Sequence, residues 1–328
     1  MAEFINGKIY EYYDMLDTDG NVINASDGGV IFADGKYHWY GQALRDLPVG
    51  YKGTGGQVTD TGVVMYASGD LVHWEYEGVI LAVGEGELRA PMRFERPKII
   101  YNDRTGKYVL WCHYVEYPGD HGFEIGKGEA GVAVADKVNG PYRWLGHTRP
   151  IDDRGVVRDL TLYKEEDGRA YLIFDRDISL IEKANRCQYI VRLSDDYLST
   201  TDEWVRIDPC YRREASALFK QNGTYYMITS GMTSWDFNGA IYYRSDSLYG
   251  PWEEMGDPCI GDDGTTFRSQ TTAVFKPEGS DVYIHMAERH NTESFLHCSY
   301  VWLPIDVDKE GKLSLTYREK INFDLKEK

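Results

Sequence analysis

Residues 217–231 read ALFKQNGTYYMITSG. A short apolar run, an Asn-Gly turn and a second apolar run containing tyrosine are the signature of a β-hairpin. The pattern occurs four more times, with turns at Gly35 (DGKYHWYGQ), Gly106 (TGKYVLWCHY), Gly168 (DGRAYLIFDR) and Gly279 (GSDVYIHMAER). Successive turn glycines are 71, 62, 55 and 56 residues apart, a period too regular for chance and too long for ankyrin or leucine-rich repeats. The apolar runs that precede the turns begin at Gly29, Lys98, Leu160, Ala217 and Ala273.

Four of the hairpins are followed by an alternating strand and a polar turn, often with a tryptophan: residues 63–74, 132–144, 190–198 and 241–252. Each unit therefore supplies roughly four strands. Five such units repeated radially predict an all-β fold, a five-bladed β-propeller. A β-sandwich with accidentally similar hairpins explains the regular period less well. No Pro/Ser-rich linker interrupts the repeats, so residues 1–328 are expected to form a single domain.

The net charge of −17 argues against nucleic acid, whose binding requires basic surface against phosphate, and against an anionic membrane. The 5 cysteines (Cys112, Cys187, Cys210, Cys259 and Cys298) are odd in number and scattered, so buried free thiols are expected rather than a disulfide framework or a zinc site. The N-terminal MAEFINGKIYEYY has no apolar leader region, and no stretch approaches the ~20 apolar residues that span a bilayer. As written, the chain reads as cytoplasmic; it would be secreted if a leader had been removed.

In a propeller the innermost strand of each blade lines a central channel, so residues at the five strand starts converge on one pocket. Counting back from the turn glycines, these positions hold Ser26 with Asp27 beside it, Glu95, Asp159, Glu214 and Gln270. One carboxylate at a strand start is ordinarily a solvated turn residue. Three on elements that the fold brings together point to glycosidic bond cleavage. One acid must keep a proton for the leaving oxygen, and a basic group must activate water on the opposite face of the sugar. Crowded carboxyl groups raise one another's pKa, which supplies the protonated member.

At these residues the chain resembles glycoside hydrolase family 43, and within it the branch of exo-β-1,3-galactanases. The resemblance rests on an ordered set: DTDGNVINA followed by a glycine pair, DGKYHWYG, FERPKIIYN, GPYRWLGHTRP, RDLTLYKEEDGRAYL, EASALFK, SLYGPW, SQTT and YVWLP. It implies a five-bladed propeller that releases a terminal sugar with inversion, acting on an oligosaccharide or polysaccharide and requiring no cofactor. It also implies roles. Glu214 matches the general acid, Asp159 the carboxylate that orients the acid and holds its pKa up, and Glu95 an acidic sugar ligand. Most of the family places an aspartate base in the first blade. The galactanase branch lacks it and carries a glutamine in the SQTT segment, here Gln270. A neutral amide is a poor proton acceptor, so Gln270 would act through an imidic acid tautomer or by positioning water, and Asp27 or Glu95 competes for the role of base.

One departure concerns the first blade, where the branch usually has INA-His-Gly-Gly-Gly and this chain has Ser26 and Asp27 before Gly28 and Gly29. A one-residue offset along a strand turns Asp27 to the opposite face, unless the glycines swing it back into the channel. An arabinofuranosidase or xylosidase of the same family, and a sugar-binding propeller without catalysis, remain alternatives. Around the pocket, Trp235 in the polar loop GMTSWDFN is a candidate for stacking on a sugar ring, and Arg289 in MAERHN for binding a sugar hydroxyl. Arg96 and Arg158 flank candidate acids and would favour the ionised form of Glu95 and Asp159. Trp39, Trp111 and Trp302 lie within strand patterns and are assigned to the core.

The 8 histidines show no HExxH or paired spacing, so no catalytic metal is expected, although a polar channel is compatible with a structural calcium ion. DTDGN at Asp17 lacks the terminal glutamate of a calcium loop and reads as a turn. The Gly-rich segment 50–62 does not open a helix and reads as a loop at the pocket rim rather than a phosphate-binding loop.

Overall fold

The computed structural model describes residues 3–44, 62–83, 92–116, 128–178 and 186–323, and the Gly-rich segment before Gly62 lies outside them. Five antiparallel sheets are each built from one continuous stretch of chain. Blade 1 comprises Ser26–Ala33, Lys36–Gln42, Gly62–Ser68 and Glu75–Ala82, and blade 2 Met92–Asn102, Lys107–Glu116, Glu129–Ala135 and Arg143–Thr148. Blade 3 comprises Val156–Lys164, Ala170–Asp177, Arg186–Leu193 and Thr200–Tyr211, and blade 4 Arg213–Gln221, Thr224–Gly231, Ile241–Ser245 and Glu253–Gly256. Blade 5 comprises Gln270–Phe275, Ile284–Arg289, Ser299–Val307 and Leu313–Thr316, with Cys259–Ile260 added in parallel on its outer strand. The fold is a five-bladed β-propeller. Its fifth blade draws its outer strands from the YVWLP region onward, where the sequence lacks the strand-and-polar-turn pattern of the other four.

The second strand of each blade shows why the hairpins read as near-continuous apolar runs. Successive side chains on a strand point to opposite faces, and here both faces meet a neighbouring blade. Leu110 packs toward blade 1 while Val109 and Trp111 pack toward blade 3. Leu172 and Phe174 face blade 2, whereas Tyr171 and Ile173 face blade 4. Met227 faces blade 3, and Tyr226 and Ile228 face blade 5. Trp39, Trp111 and Trp302 are buried, as the strand pattern implies. Four of the cysteines are also buried, and all five are free thiols. Asp17 makes the expected turn, its Oδ1 accepting from the amides of Asp19 and Asn21 at 3.0 and 2.8 Å.

Blades 5 and 1 close the ring without sharing a strand. Trp302 meets Trp39 edge-on at 4.9 Å between ring centres and stacks on Phe4 at 4.3 Å. The Asn6 side chain donates to the Trp302 carbonyl and accepts from the Trp302 amide, both at 2.8 Å, and Phe4–Ile5 pairs with Lys320–Ile321.

All five innermost strands break register near the channel mouth, between Ser26 and Gly29, Glu95 and Lys98, Val157 and Leu160, Glu214 and Ala217, and Thr271 and Ala273. A bulge re-aims the side chains beside it. Asp27, Arg96 and Ala215 occupy matching positions there with φ of 54°, 51° and 54°. In blade 1 the bulge also needs glycine at Gly28, where a Cβ would lie 1.6 Å from the Tyr40 carbonyl oxygen.

Replacing Trp302 by alanine removes the ring-closing aromatic and is expected to cost about 3–5 kcal/mol. Chemical denaturation followed by tryptophan fluorescence measures this; a loss below about 1 kcal/mol would show that closure rests elsewhere.

Candidate active site

A pocket of about 420 Å³ opens at the channel mouth and is lined by Glu95, Asp159, Glu214 and Gln270, together with Asp27, Arg96, Arg158 and Trp235. Eight of the nine residues singled out in the sequence are thus brought together. The strand register refines how they get there. Ser26, Glu95, Glu214 and Gln270 occupy equivalent positions, three residues before the first in-register pair after the bulge. Asp159 sits two positions further along, immediately before Leu160. Its hairpin has five residues between Lys164 and Ala170 where that of blade 4 has two, so counting back from the glycine lands further along the strand.

Asp27 does not turn away as a regular strand would require. Its left-handed backbone at the bulge puts it on the pocket, buried and with an oxygen 3.6 Å from Arg96. Trp235 is only partly exposed; it lines the pocket with its indole edge-on to His290 and Phe295.

Arg289 is the exception. It is 1 % exposed and donates to the backbone carbonyls of Phe267, Arg268, Lys8 and Glu11 at 2.9–3.3 Å. A guanidinium whose donors are taken up by main-chain oxygens has no sugar to bind, and Arg289 holds backbone together instead.

Arg96 is the electrostatic centre. Its Nε lies 3.0 Å from Asp159 Oδ2, one Nη donates to Gln270 Oε1 at 2.6 Å and the other to the Thr271 carbonyl at 2.9 Å. This contact fixes the Gln270 amide, because only its oxygen can face a guanidinium. The Gln270 nitrogen then points to Glu214 Oε1 and Ser230 Oγ, each 3.4 Å away.

The carboxyl groups are driven apart in pKa. Burial pushes Asp27 up, but Arg96, His290 and Lys98 outweigh it and hold the carboxyl well below the usual range. Burial, reinforced by the charge of Asp159, pushes Glu214 up to about 8, although Arg186 lies 3.0 Å away. Burial likewise raises Asp175, the other partner of Arg186, to about 6. Burial and the charge of Arg96 bring Lys98 down to about 7, while its Nζ donates to the Asp27 carbonyl at 2.7 Å. The arrangement therefore offers one buried acid, Glu214, that keeps its proton at neutral pH, beside the Asp27 carboxylate held ionised.

Several supporting residues were not singled out in the sequence. Arg186 bridges Glu214 and Asp175, His113 Nδ1 lies 2.8 Å from Glu95, and Asp177 lies 3.6 Å from Arg158. Glu288 accepts from the Ser26 hydroxyl and the Asp27 amide, both at 2.8 Å. Gln42, His113, Arg176, Ser230 and Glu288 stand opposite the first-strand positions in register. A polar residue near the end of each apolar second strand was the signal that could have found them. Asp27, Glu288 and His290 offer ligand atoms within 4.8 Å of one another, a buried group that could hold a cation. The Asp27 charge is already matched by Arg96 and by His290 at 3.6 Å.

The sequence pattern of glycosyl hydrolases family 43 matches residues 26–312, which contain all five blades' inner hairpins. The chain belongs to glycosyl hydrolase family 43. It is a glycoside hydrolase, in a family whose members here act on carbohydrate. The structure is similar to a family 43 β-1,3-galactosidase solved with galactodeoxynojirimycin, at 33 % identity and a TM-score of 0.84, covering 98 % of this chain and 100 % of the other. It is also similar to an exo-β-1,3-galactanase from Clostridium thermocellum, at 29 % identity and a TM-score of 0.83, covering 98 % of this chain and 67 % of the other. A β-D-galactofuranosidase from Aspergillus niger is 28 % identical over 180 residues, 51 % of this chain and 49 % of that protein, so the match spans about half of the curated relative's length.

Arg96→Met leaves the buried Asp27 and the half-buried Asp159 without their shared cation, at an expected cost of about 3–5 kcal/mol at neutral pH. Asp27 is held low in the native protein, so its contribution is present above the ordinary carboxylate pKa and lost only in strong acid. In the variant, protonation relieves the unpaired charge, so the stability gap should narrow as pH falls toward 4. Urea melts at several pH values measure it; a gap that widens toward pH 4 would contradict the pairing.

Proposed function

We propose that this protein is an inverting, exo-acting glycoside hydrolase that releases terminal galactose from β-1,3-linked galactosides, whether galactan or galacto-oligosaccharides. The observation that carries the proposal is Glu214, raised to about 8 in a pocket whose other carboxylates are paired with arginine or histidine. The likeness to β-1,3-galactosidase and exo-β-1,3-galactanase structures across nearly the whole chain supports the sugar and the linkage.

In this reading Glu214 gives its proton to the glycosidic oxygen as the C–O bond breaks, and a water molecule attacks the anomeric carbon from the opposite face. Asp159, anchored by Arg96, keeps Glu214 protonated through its negative charge. Glu95, held by His113, hydrogen-bonds a sugar hydroxyl, and Trp235 stacks on the ring. Arg96 withdraws electron density from the Gln270 oxygen, which lowers its basicity, so Gln270 is assigned to positioning the water. The reaction as drawn uses no cofactor.

Asp27 in the pocket favours a second reading, because arabinofuranosidases and xylosidases of the family use a first-blade aspartate as base. Comparing Asp27→Asn with Gln270→Ala separates the two. Loss in the first with wild-type turnover in the second would move water activation to Asp27 and strengthen the pentosidase reading.

Because Glu214 acts as an acid, the active form is present below about pH 8 and is lost as pH rises through that value. The profile of kcat/KM should be level near neutrality and fall roughly tenfold per pH unit on its basic side. Glu214→Gln should lose about 10²–10⁴-fold on galactobiose while retaining much of its rate on dinitrophenyl β-galactoside, whose leaving group needs no proton. Equal losses on both substrates would remove Glu214 from the role of acid.

A further inference from the structure

Gln270 is reached through a segment held in a backbone conformation that L-residues avoid. Thr266, Phe267 and Arg268 have φ of 55°, 55° and 56°, three consecutive residues in the left-handed region without a glycine. The Ser269 amide donates to the Thr265 carbonyl at 3.3 Å, so the run forms one left-handed helical turn. Such strain persists only where surrounding groups over-determine it.

Here they do so from both ends. Asp262 collects the amides of the turn: Oδ2 accepts from Thr265 and Thr266 at 2.8 and 2.6 Å, and Oδ1 from Phe267 at 2.9 Å. Arg289 collects the carbonyls, with Nη2 donating to Phe267 and Nε to Arg268, both at 3.2 Å. An anion at the amide end and a cation at the carbonyl end oppose the dipole of the turn. The Thr266 hydroxyl ties it sideways to blade 4, donating to the Asn238 carbonyl at 2.7 Å and accepting from the Ala240 amide at 2.8 Å. Two residues after the strained run, Gln270 meets Arg96 and Glu214. Glu288, next to Arg289, is its register partner in the sheet.

We propose that Asp262 and Arg289 are positioning residues that hold this left-handed turn as a clamp, setting the Gln270 amide between Arg96 and Glu214. The clamp rests on the reading of Gln270 as the group that positions water. It also explains why, among the described residues, a buried arginine on blade 5 donates to main-chain and phenolic oxygens: its partner is the turn, and through the turn the pocket.

The test is a double-mutant cycle on β-1,3-galactobiose. Asp262→Asn replaces one accepting oxygen with a donor facing amides, and is expected to lower kcat about 10- to 100-fold with KM little changed. If Asp262 acts through Gln270, Asp262→Asn adds no further loss in a Gln270→Ala background. A purely structural role would multiply the two losses and lower the folded fraction seen by circular dichroism. Should Asp262→Asn fold poorly, adding Arg268→Gly supplies a residue that adopts positive φ without strain and should restore both folding and kcat. Wild-type kcat in Asp262→Asn, multiplicative losses, or restored folding without restored kcat would each overturn the clamp. Wild-type kcat in Gln270→Ala would instead remove the reading on which it rests.

Discussion

The Arg96 guanidinium is the contact on which the pocket depends. From blade 2 it reaches Asp27 in blade 1, Asp159 in blade 3, and Gln270 and Thr271 in blade 5. A propeller gathers the starts of its innermost strands, and in this chain that gathers carboxyl groups. Buried carboxylates ionise together only if a cation lies among them. A planar guanidinium can meet several acceptors in different directions, which a lysine ammonium on a flexible stem does less well. The same cation sets the acids apart. Asp27 and Asp159 share Arg96, whereas Glu214, buried and close to the Asp159 charge, is pulled back only in part by Arg186 and keeps its proton.

Backbone irregularity delivers these groups to one place. An unbroken strand would send Ser26 and Asp27 to opposite faces, and Glu95 and Arg96 likewise. The bulge gives each pair a left-handed residue, so that both members serve the channel end: Ser26 and Asp27 share Glu288, while Glu95 and Arg96 line the same pocket. The costs of this geometry are borne by an interior in which the second strand of a blade is covered on its two faces by the two neighbouring blades.

The fold was legible because the hairpins repeat and their second strands are apolar on both faces, as YVLWC and YLIF show. The site residues were legible because Glu95, Glu214 and Gln270 interrupt apolar strands at one register position. Asp159 was reached by the same count for a different reason, since a longer hairpin turn shifts its strand by two residues. Arg289 was misread because a polar residue following a strand looks alike whether it faces a ligand or a ring of main-chain carbonyls. That distinction depends on where Lys8, Glu11 and the Phe267–Arg268 turn pass in space, hundreds of residues away in part, and no local pattern encodes it. Arg186 and His290 pair with residues of other strands for the same reason. The fate of Asp27 turned on backbone conformation at a single bulge, which the glycines after it permit but do not specify.

The proposed reaction joins one protonated acid, one water on the opposite face and one terminal galactose. It is tested most directly by incubating the protein with β-1,3-galactobiose and following the released sugar by proton NMR before mutarotation. With inversion, α-galactose appears first and β-galactose later. Initial release of β-galactose, or release of arabinose or xylose from their aryl glycosides with none from galactobiose, would contradict it.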